Sequence, residues 1–435
     1  MAFLINLIVG IILFFYGVKI YTSYNLRPVS NPCGTGENYY LNKHLHFLLF
    51  SIATSMVFLG PFSLVKYVSW FAILVILIFF FRLKFDIIVG SYILFLLWAL
   101  FSMSYTSELY QGTMLLIKYA LPMLYLWLGY NAINGKEDFI IFLKKSNIIL
   151  ILYALFIGGF AYKVFPFLYS LLLFKSGGLF IAYASLADFF TALFVIPLTL
   201  YVITKRSKYL YAALWLLLST VLEVVRTGLG GIALSIMFFG FIFYKWRAVP
   251  FVVFPVILFV IAILFIPDVR EKMFVDDSNT AIAQTSLTFD NIQSNGRELI
   301  WEKNIEKFYK PNPLIGAGLG TSVSYTKDNF AVHLIHSDYV QILCDMGSIG
   351  LSFFCLFFIV LVCKVVYCCW FGYNKDDFVR LSGAMAVGSC AGVLFSMAFD
   401  NVVSYSQQCF VFPFLFIGIF LKAIDLCKDY NNRFV

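Results

Sequence analysis

Residues 339–363, YVQILCDMGSIGLSFFCLFFIVLVC, decide the fold class. The run is long enough to cross a bilayer as a helix, which takes about 20 residues. Its apolar residues follow one another without the alternation that a membrane-barrel strand needs. The rest of the chain resembles it. Of 435 residues, 62% are hydrophobic, 20% aromatic and only 12% charged, whereas soluble domains are about 45–50% apolar and about 25% charged. The chain therefore reads as an all-α, polytopic transmembrane helical bundle. Its net charge of +8 is accounted for by bases at the cytoplasmic headgroups, so nucleic acid is not an expected partner. The nine cysteines (Cys33, Cys344, Cys355, Cys363, Cys368, Cys369, Cys390, Cys409 and Cys427) fall mostly in apolar runs without C-x-x-C spacing. They read as small core hydrophobes rather than zinc or redox ligands.

Candidate spans lie near residues 2–18, 45–61, 66–81, 86–104, 112–130, 147–162, 178–203, 209–225, 228–244, 249–266, 339–363, 380–399 and 405–423, or about 12–13 in all. A short apolar piece at 164–174 has the length of a re-entrant segment. The N-terminal MAFLINLIVGIILFFYG lacks the basic start and small-residue cleavage site of a signal peptide, and is expected to remain as the first span. Lys19, Arg27 and Lys43 share one connection. Arg82 with Lys84, Lys136 with Lys144 and Lys145, Lys205 with Arg206 and Lys208, Lys245 with Arg247, Lys375 with Arg380, and Lys428 with Arg433 recur in every second connection after it. These belong to the cytoplasm. The alternate connections then face outward: Glu108, the turn after Val225, the long segment 268–335, and Asp400 with Asn401. Three parts are expected: an N-terminal transmembrane bundle, 1–267; a large extracytoplasmic loop, 268–335; and C-terminal transmembrane helices, 336–435.

The outer loop is an island of polarity, and four features converge on its side of the membrane. In LEVVRTGLGG, 222–231, Glu223 and Arg226 stand three apart on one helical face at the end of a span. Two readings stay open: a snorkelling arginine balanced by Glu223, or an anion site, since ionisable groups near membrane depth face the protein interior or a wet cavity. In NGRELIWEKNIEKFY, 295–309, Leu299, Ile300, Trp301, Ile305 and Phe308 form an apolar stripe against Glu298, Glu302, Lys303, Glu306 and Lys307, the pattern of an interfacial amphipathic helix. Pro311 and Pro313 should end it, and PLIGAGLG continues as a glycine-rich turn in which backbone can come close to a ligand. Arg297 sits in the first turn of that helix, the wrong sign for the positive end of its dipole, so an anion-binding role is weighed against a plain surface arginine. In HLIHSDYVQILCDMGSIGL, 333–351, His333, His336 and Tyr339 or Val340 are expected on one helical face, with His336 at the mouth of the next span beside Asp338. Two histidines without a cysteine make a poor metal set. An imidazole titrates near neutral pH and suits a proton acceptor or hydrogen-bonding group; the bland alternative is an interfacial histidine bonded to a backbone carbonyl. Asp345, Gly347 and Gly350 allow tight packing within the span. Last, FDNVVSYSQQ, 399–408, places Asp400 and Asn401 in an apolar run on the same outer side.

The order R-T-G at a span end, R-x-x-x-W, N-P-L-I-G-x-G and then H-x-D-Y-x-Q-x-L-x-x-x-G-x-x-G-L, carried by Arg226, Arg297 to Trp301, Asn312 to Gly318 and His336 to Leu351, resembles the O-antigen ligase and O-antigen polymerase superfamily of bacterial envelope glycosyltransferases. The resemblance covers residues 220–425 in pattern and the N-terminal half in hydropathy alone. The family often has H-N where this chain has His336 followed by Ser337, which leaves the role of that second residue open. The resemblance implies an inverting, metal-independent glycosyl transfer at the periplasmic face of the inner membrane, without cofactor, from an undecaprenyl-diphosphate-linked oligosaccharide. It also brings membrane lipid and a chain-length regulator protein in as candidate partners. Its catalytic residues would be His336, Arg226 and Arg297; substrate contacts would come from the two arginines with Glu223, Asp338, Tyr339, Asp400 and Asn401.

The residue types suit that chemistry in their own right. Breaking a bond from an anomeric carbon to a diphosphate releases a strongly charged anion, which calls for fixed cations, and guanidinium binds phosphate oxygens bidentately. Paired carboxylates at glycosidase spacing are not evident. Three outcomes are weighed: a polymerase transferring the growing glycan onto the next lipid-linked repeat unit, favoured because FDNVVSYSQQ resembles a stretch of polysaccharide polymerases; a ligase transferring finished glycan to lipid A core; and a transporter of a lipid-linked glycan, for which no internal repeat is found.

Overall fold

A computed structural model describes residues 83–156, 183–223, 225–265, 297–330, 334–373 and 376–432, with a few positions between 70 and 81. The expected spans at 2–18 and 45–61, most of 66–81 and the piece at 164–174 lie outside the described residues. Among the described residues all regular structure is helical. Helices α1 (Ile87–Ser102), α2 (Leu109–Ala132), α3 (Lys136–Phe156), α4 (Tyr183–Leu193), α5 (Val195–Thr204), α6 (Ser207–Glu223), α7 (Arg226–Tyr244) and α8 (Val249–Phe265) come first. In the long loop lie α9 (Arg297–Asn304) and α10 (Thr321–Asn329), followed by α11 (Asp338–Tyr367), α12 (Asp377–Phe399) and α13 (Gln407–Asn432). Six helical stretches among these are long and apolar enough to cross a membrane, α4 and α5 forming one of them; α1 and most of α6 are apolar but shorter.

Helices in lipid associate through close packing, and small residues let backbones approach. A Cβ added at Gly392 of α12 would lie 2.2 Å from Ser235 Oγ and 2.8 Å from the Gly231 carbonyl oxygen, both on α7, so α7 and α12 touch nearly backbone to backbone. The same holds for α2 and α13, where a Cβ at Gly418 would meet the Leu126 carbonyl oxygen at 2.1 Å. Between the second pair and α1 and α11 lies an aromatic core in which Phe357 and Phe414 stack at 5.1 Å and Tyr92 touches both rings. Leu97, Ile117, Val256 and Ile359 are exposed, the positions of a lipid-facing surface.

The two ends of the bundle differ in chemistry. At one end Lys84 pairs with Asp425 at 2.7 Å, Lys364 pairs with Asp86, and Lys245 and Arg380 donate to the carbonyls of Trp370 and Phe243. At the other end lie the starts of α2, α7, α11 and α13, the end of α12, and the described part of the long loop. There the α1–α2 turn meets the loop: the Tyr105 hydroxyl donates to the Ile315 carbonyl, Thr106 to that of Leu319, and Ser324 to the Glu108 carboxylate. Burial, with the Asp345 charge adding to it, pushes the Tyr105 phenol up to about 12, so it stays a neutral donor.

Two expectations for the loop are corrected. Ile300 and Phe308 are buried with Asn304 between them, whereas Leu299 is 54% exposed. The face turned to the protein therefore follows i, i+4, i+8, and α9 continues into a π-helical turn, Ile305–Tyr309, that ends before Pro311. The glycine-rich turn, expected to approach a ligand, approaches the protein instead. Within α11 the helix breaks at Gly347, with φ 68° and ψ −173°. The carbonyls of Cys344 and Asp345 accept from the amides of Ala317 and Gly318 at 3.0 and 2.9 Å, while the amides of Ser348 and Ile349 donate to the carbonyls of Pro313 and Leu314. Asp345 accepts from the amides of Gly320 and Ser322, both at 2.9 Å, and so ties down the start of α10. A broken helix within an apolar span needs such replacement partners. A Cβ at Gly347 would lie 2.2 Å from the Leu314 carbonyl oxygen, and its combination of positive φ with extended ψ, which glycine almost alone adopts, costs a residue with a Cβ about 1–3 kcal/mol even without a clash. Gly347→Ala is expected to destabilise by more than that, read as a lowered melting midpoint of the purified protein; an unchanged midpoint would mean the break is not needed.

Candidate active site

Arg226 is the first residue of α7, whose preceding residue, Val225, supplies no side-chain cap. It is half-buried and lies within electrostatic reach of Arg297. Arg297 opens α9, and its Nη1 donates to the carbonyl of Phe399, the last residue of α12. The wrong sign for its own helix is thus the right sign for another: the C-terminal end of α12 carries negative partial charge.

His336 precedes α11 rather than lying on it, which corrects the expected helical face. Its backbone is left-handed, φ 59°, a conformation uncommon for a residue with a side chain. Asn401 holds it there, accepting the His336 amide on Oδ1 at 2.5 Å. Strained backbone fixed by its surroundings is characteristic of functional sites. The ring Nδ1 lies 3.1 Å from Asp400 Oδ1; a proton on Nδ1 shared with this carboxylate leaves Nε2 as the basic nitrogen of the neutral ring. Ser337 caps α11, its Oγ accepting the Val340 amide at 3.3 Å. Asparagine and serine both serve as N-caps, so a serine after the histidine, where the family often has asparagine, preserves a cap.

The remaining expected contacts are distributed unevenly. Asp400 and Asn401 are buried, and Asn401 also donates to Gln341 Oε1 at 3.1 Å. Asp338 is fully buried and accepts the Val403 amide on Oδ2 at 3.2 Å, so it stitches the start of α11 to the break after α12. The Tyr339 hydroxyl donates to the Leu394 carbonyl at 3.0 Å. Glu223 ends α6, and its side chain lies outside the described residues, as does His333. Two groups were not anticipated. Lys118 of α2 donates to the Ser404 carbonyl at 2.6 Å. Asp188 of α4 is buried beside Asp400, Ser396 and Ser406, and neither of its carboxylate oxygens completes a hydrogen bond among the described residues. Each is a lone charge in an apolar run, 112–130 and 178–203, and an ionisable group within a span is itself a functional signal.

Arg297 and His336 are separated by a long stretch of loop, yet they bind consecutive residues, Phe399 and Asp400. With Arg226 within electrostatic reach of Arg297, two cations and an imidazole are gathered at one end of the bundle. Residues 211–355 match the protein family described as O-Antigen ligase. This third of the chain is similar to that family. It runs from α6 into α11 and contains Arg226, Arg297 and His336. Asp400 and Asn401 lie beyond it and reach the site through the fold. No curated protein matches the chain. Among the described residues six helical stretches are long and apolar enough to cross a bilayer, so the chain is a multi-pass membrane protein.

Proposed function

We propose that the chain is a polysaccharide polymerase that transfers a growing glycan from undecaprenyl diphosphate onto the next lipid-linked repeat unit, by an inverting, metal-independent reaction at the periplasmic face of the inner membrane. The observation that carries this reading is the attachment of Arg297 and His336 to consecutive residues, with Arg226 alongside. The acceptor hydroxyl attacks the anomeric carbon from the face opposite the diphosphate. The bond from that carbon to the diphosphate oxygen breaks, and its electron pair leaves with the oxygen. The hydroxyl proton passes to His336 Nε2, and Asp400 at 3.1 Å steadies the imidazolium that forms. Arg226 and Arg297 balance the charge developing on the diphosphate. All three expected parts of the chain, 1–267, 268–335 and 336–435, contribute, through α7, α9 and the α11 and α12 ends.

The resemblance of Phe399–Gln408 to polysaccharide polymerases favours polymerisation; the family description, O-Antigen ligase, supports the second reading, transfer to lipid A core. Purified protein incubated with a lipid-linked repeat unit distinguishes them on a gel. A ladder of lengths supports the polymerase, transfer only when lipid A core is added supports the ligase, and no product with either donor and acceptor pair returns the transporter. The periplasmic assignment is tested separately at Asp328, which is exposed on α10. In a cysteine-free background, Asp328→Cys is expected to react with a membrane-impermeant thiol reagent in intact spheroplasts; labelling only after lysis would invert the topology.

A further inference from the structure

A cavity of about 470 Å³ opens on the side of the bundle at the end opposite the candidate active site, between the start of α1, the last turns of α11 and the second half of α13. Its floor is apolar, with Leu421 and Ile424 buried and Val360 beside them in the lining. Its rim carries three cations, Lys84, Lys364 and Lys428, against two carboxylates, Asp86 and Asp425.

The carboxylates are engaged. Asp86 caps α1 through the Ile88 amide and pairs with Lys364; Asp425 pairs with Lys84 at 2.7 Å and accepts the Tyr130 hydroxyl at 2.7 Å. The lysines are not exhausted. An ammonium has three donors, and neither Lys84 nor Lys364 has more than one acceptor among the described residues. Lys428 is exposed, lines the cavity and makes no salt bridge or hydrogen bond among the described residues. The ion pairs hold two ammonium groups at the cavity mouth, and the third supplies an unbalanced positive charge. At the mouth the lining residues Ile87 and Tyr367 are exposed, as are their chain neighbours Phe85 and Phe371, so the cavity opens toward hydrocarbon and headgroups rather than bulk water. Aromatic residues collect at that depth.

We infer that this cavity is a binding site for an anionic phospholipid, with its phosphodiester on the lysines and an acyl chain over the apolar floor. One net positive charge matches a singly charged phosphodiester. A zwitterionic headgroup would bring an ammonium to carboxylates that already have partners. A free phosphate would satisfy the rim but leave the apolar floor uncovered. Basic pockets between spanning helices on the cytoplasmic side are a recurrent setting for anionic lipids, and the bases of this chain gather at this end.

The test uses the full-length protein purified in a neutral detergent, with bound lipid read by native mass spectrometry after exchange against phosphatidylglycerol, phosphatidylcholine or inorganic phosphate. Wild-type protein is expected to retain phosphatidylglycerol in preference to phosphatidylcholine. Lys428→Gln breaks no ion pair and should fold normally; it is expected to reduce that preference by about fivefold, one lysine's share. Lys364→Gln should reduce it further, although leaving Asp86 unpaired lowers stability as well, so the first variant is the deciding one. Equal retention of both lipids, or an unchanged preference in Lys428→Gln, would overturn the site. Displacement of phosphatidylglycerol by millimolar inorganic phosphate would also overturn the assignment to a lipid.

Discussion

Replacement of His336 by alanine is expected to lower turnover by about 10²–10⁴-fold, the usual contribution of a positioned general base, while insertion and donor binding persist. The geometry makes a finer version available. His336 has φ 59°, a region glycine enters freely, so His336→Gly removes the ring without asking alanine to hold a left-handed backbone. Both variants should lose activity alike if the imidazole acts chemically. If instead the residue only shapes the entrance to α11, His336→Gly should keep normal activity per inserted molecule and His336→Ala should lose folded protein. Asp400→Asn leaves the packing nearly unchanged but removes the charge at 3.1 Å from Nδ1, and should reduce turnover with a smaller effect on the apparent affinity for donor. His333→Ala is expected to be far milder than His336→Ala; equal, mild effects of the two would remove His336 from the mechanism.

The second large effect concerns the arginines. Arg226→Lys and Arg297→Lys should each reduce turnover by about 10²–10³-fold, the scale observed when one preorganised group facing developing charge is lost, because an ammonium cannot reproduce a bidentate guanidinium fork on phosphate oxygens. The two positions should differ in their side effects. Arg297 also donates to the Phe399 carbonyl at the end of α12. Lysine keeps a cation at that helix terminus and alanine does not, so Arg297→Ala should lose stability as well as activity, and Arg297→Lys mainly activity. The double lysine variant should fall short of the product of the single effects, since neighbouring groups sharing one ligand are not independent. Full turnover in both single lysine variants would reject the diphosphate assignment.

Hydropathy alone was sufficient for the membrane class, for most described span positions and for the separation of a basic end from the end that carries the long loop, because the cost of placing polar groups in hydrocarbon acts on each segment locally. The same locality made Arg226, Arg297 and His336 conspicuous, as polar residues at the edges of apolar runs. The partners of those residues depend on which helix ends meet. Nothing near Arg297 in the chain points to Phe399, and nothing near His336 points to Asp400 or Asn401. The glycines of PLIGAGLG looked available to a ligand because their spacing records backbone freedom and not what fills the space. In the fold that space is taken by the broken turn of α11 around Gly347, whose orphaned carbonyls and amides the loop satisfies. Asp188 and Lys118 are readable as lone charges within spans, but their place behind the loop-bearing end of the bundle follows from the packing of α4 and α2 against α13. Which segments are helical and which residues are chemically expensive follows from local composition; which of those residues share a site follows from the packing of distant segments, since hydrogen bonds and charges act across space between groups that the chain keeps far apart.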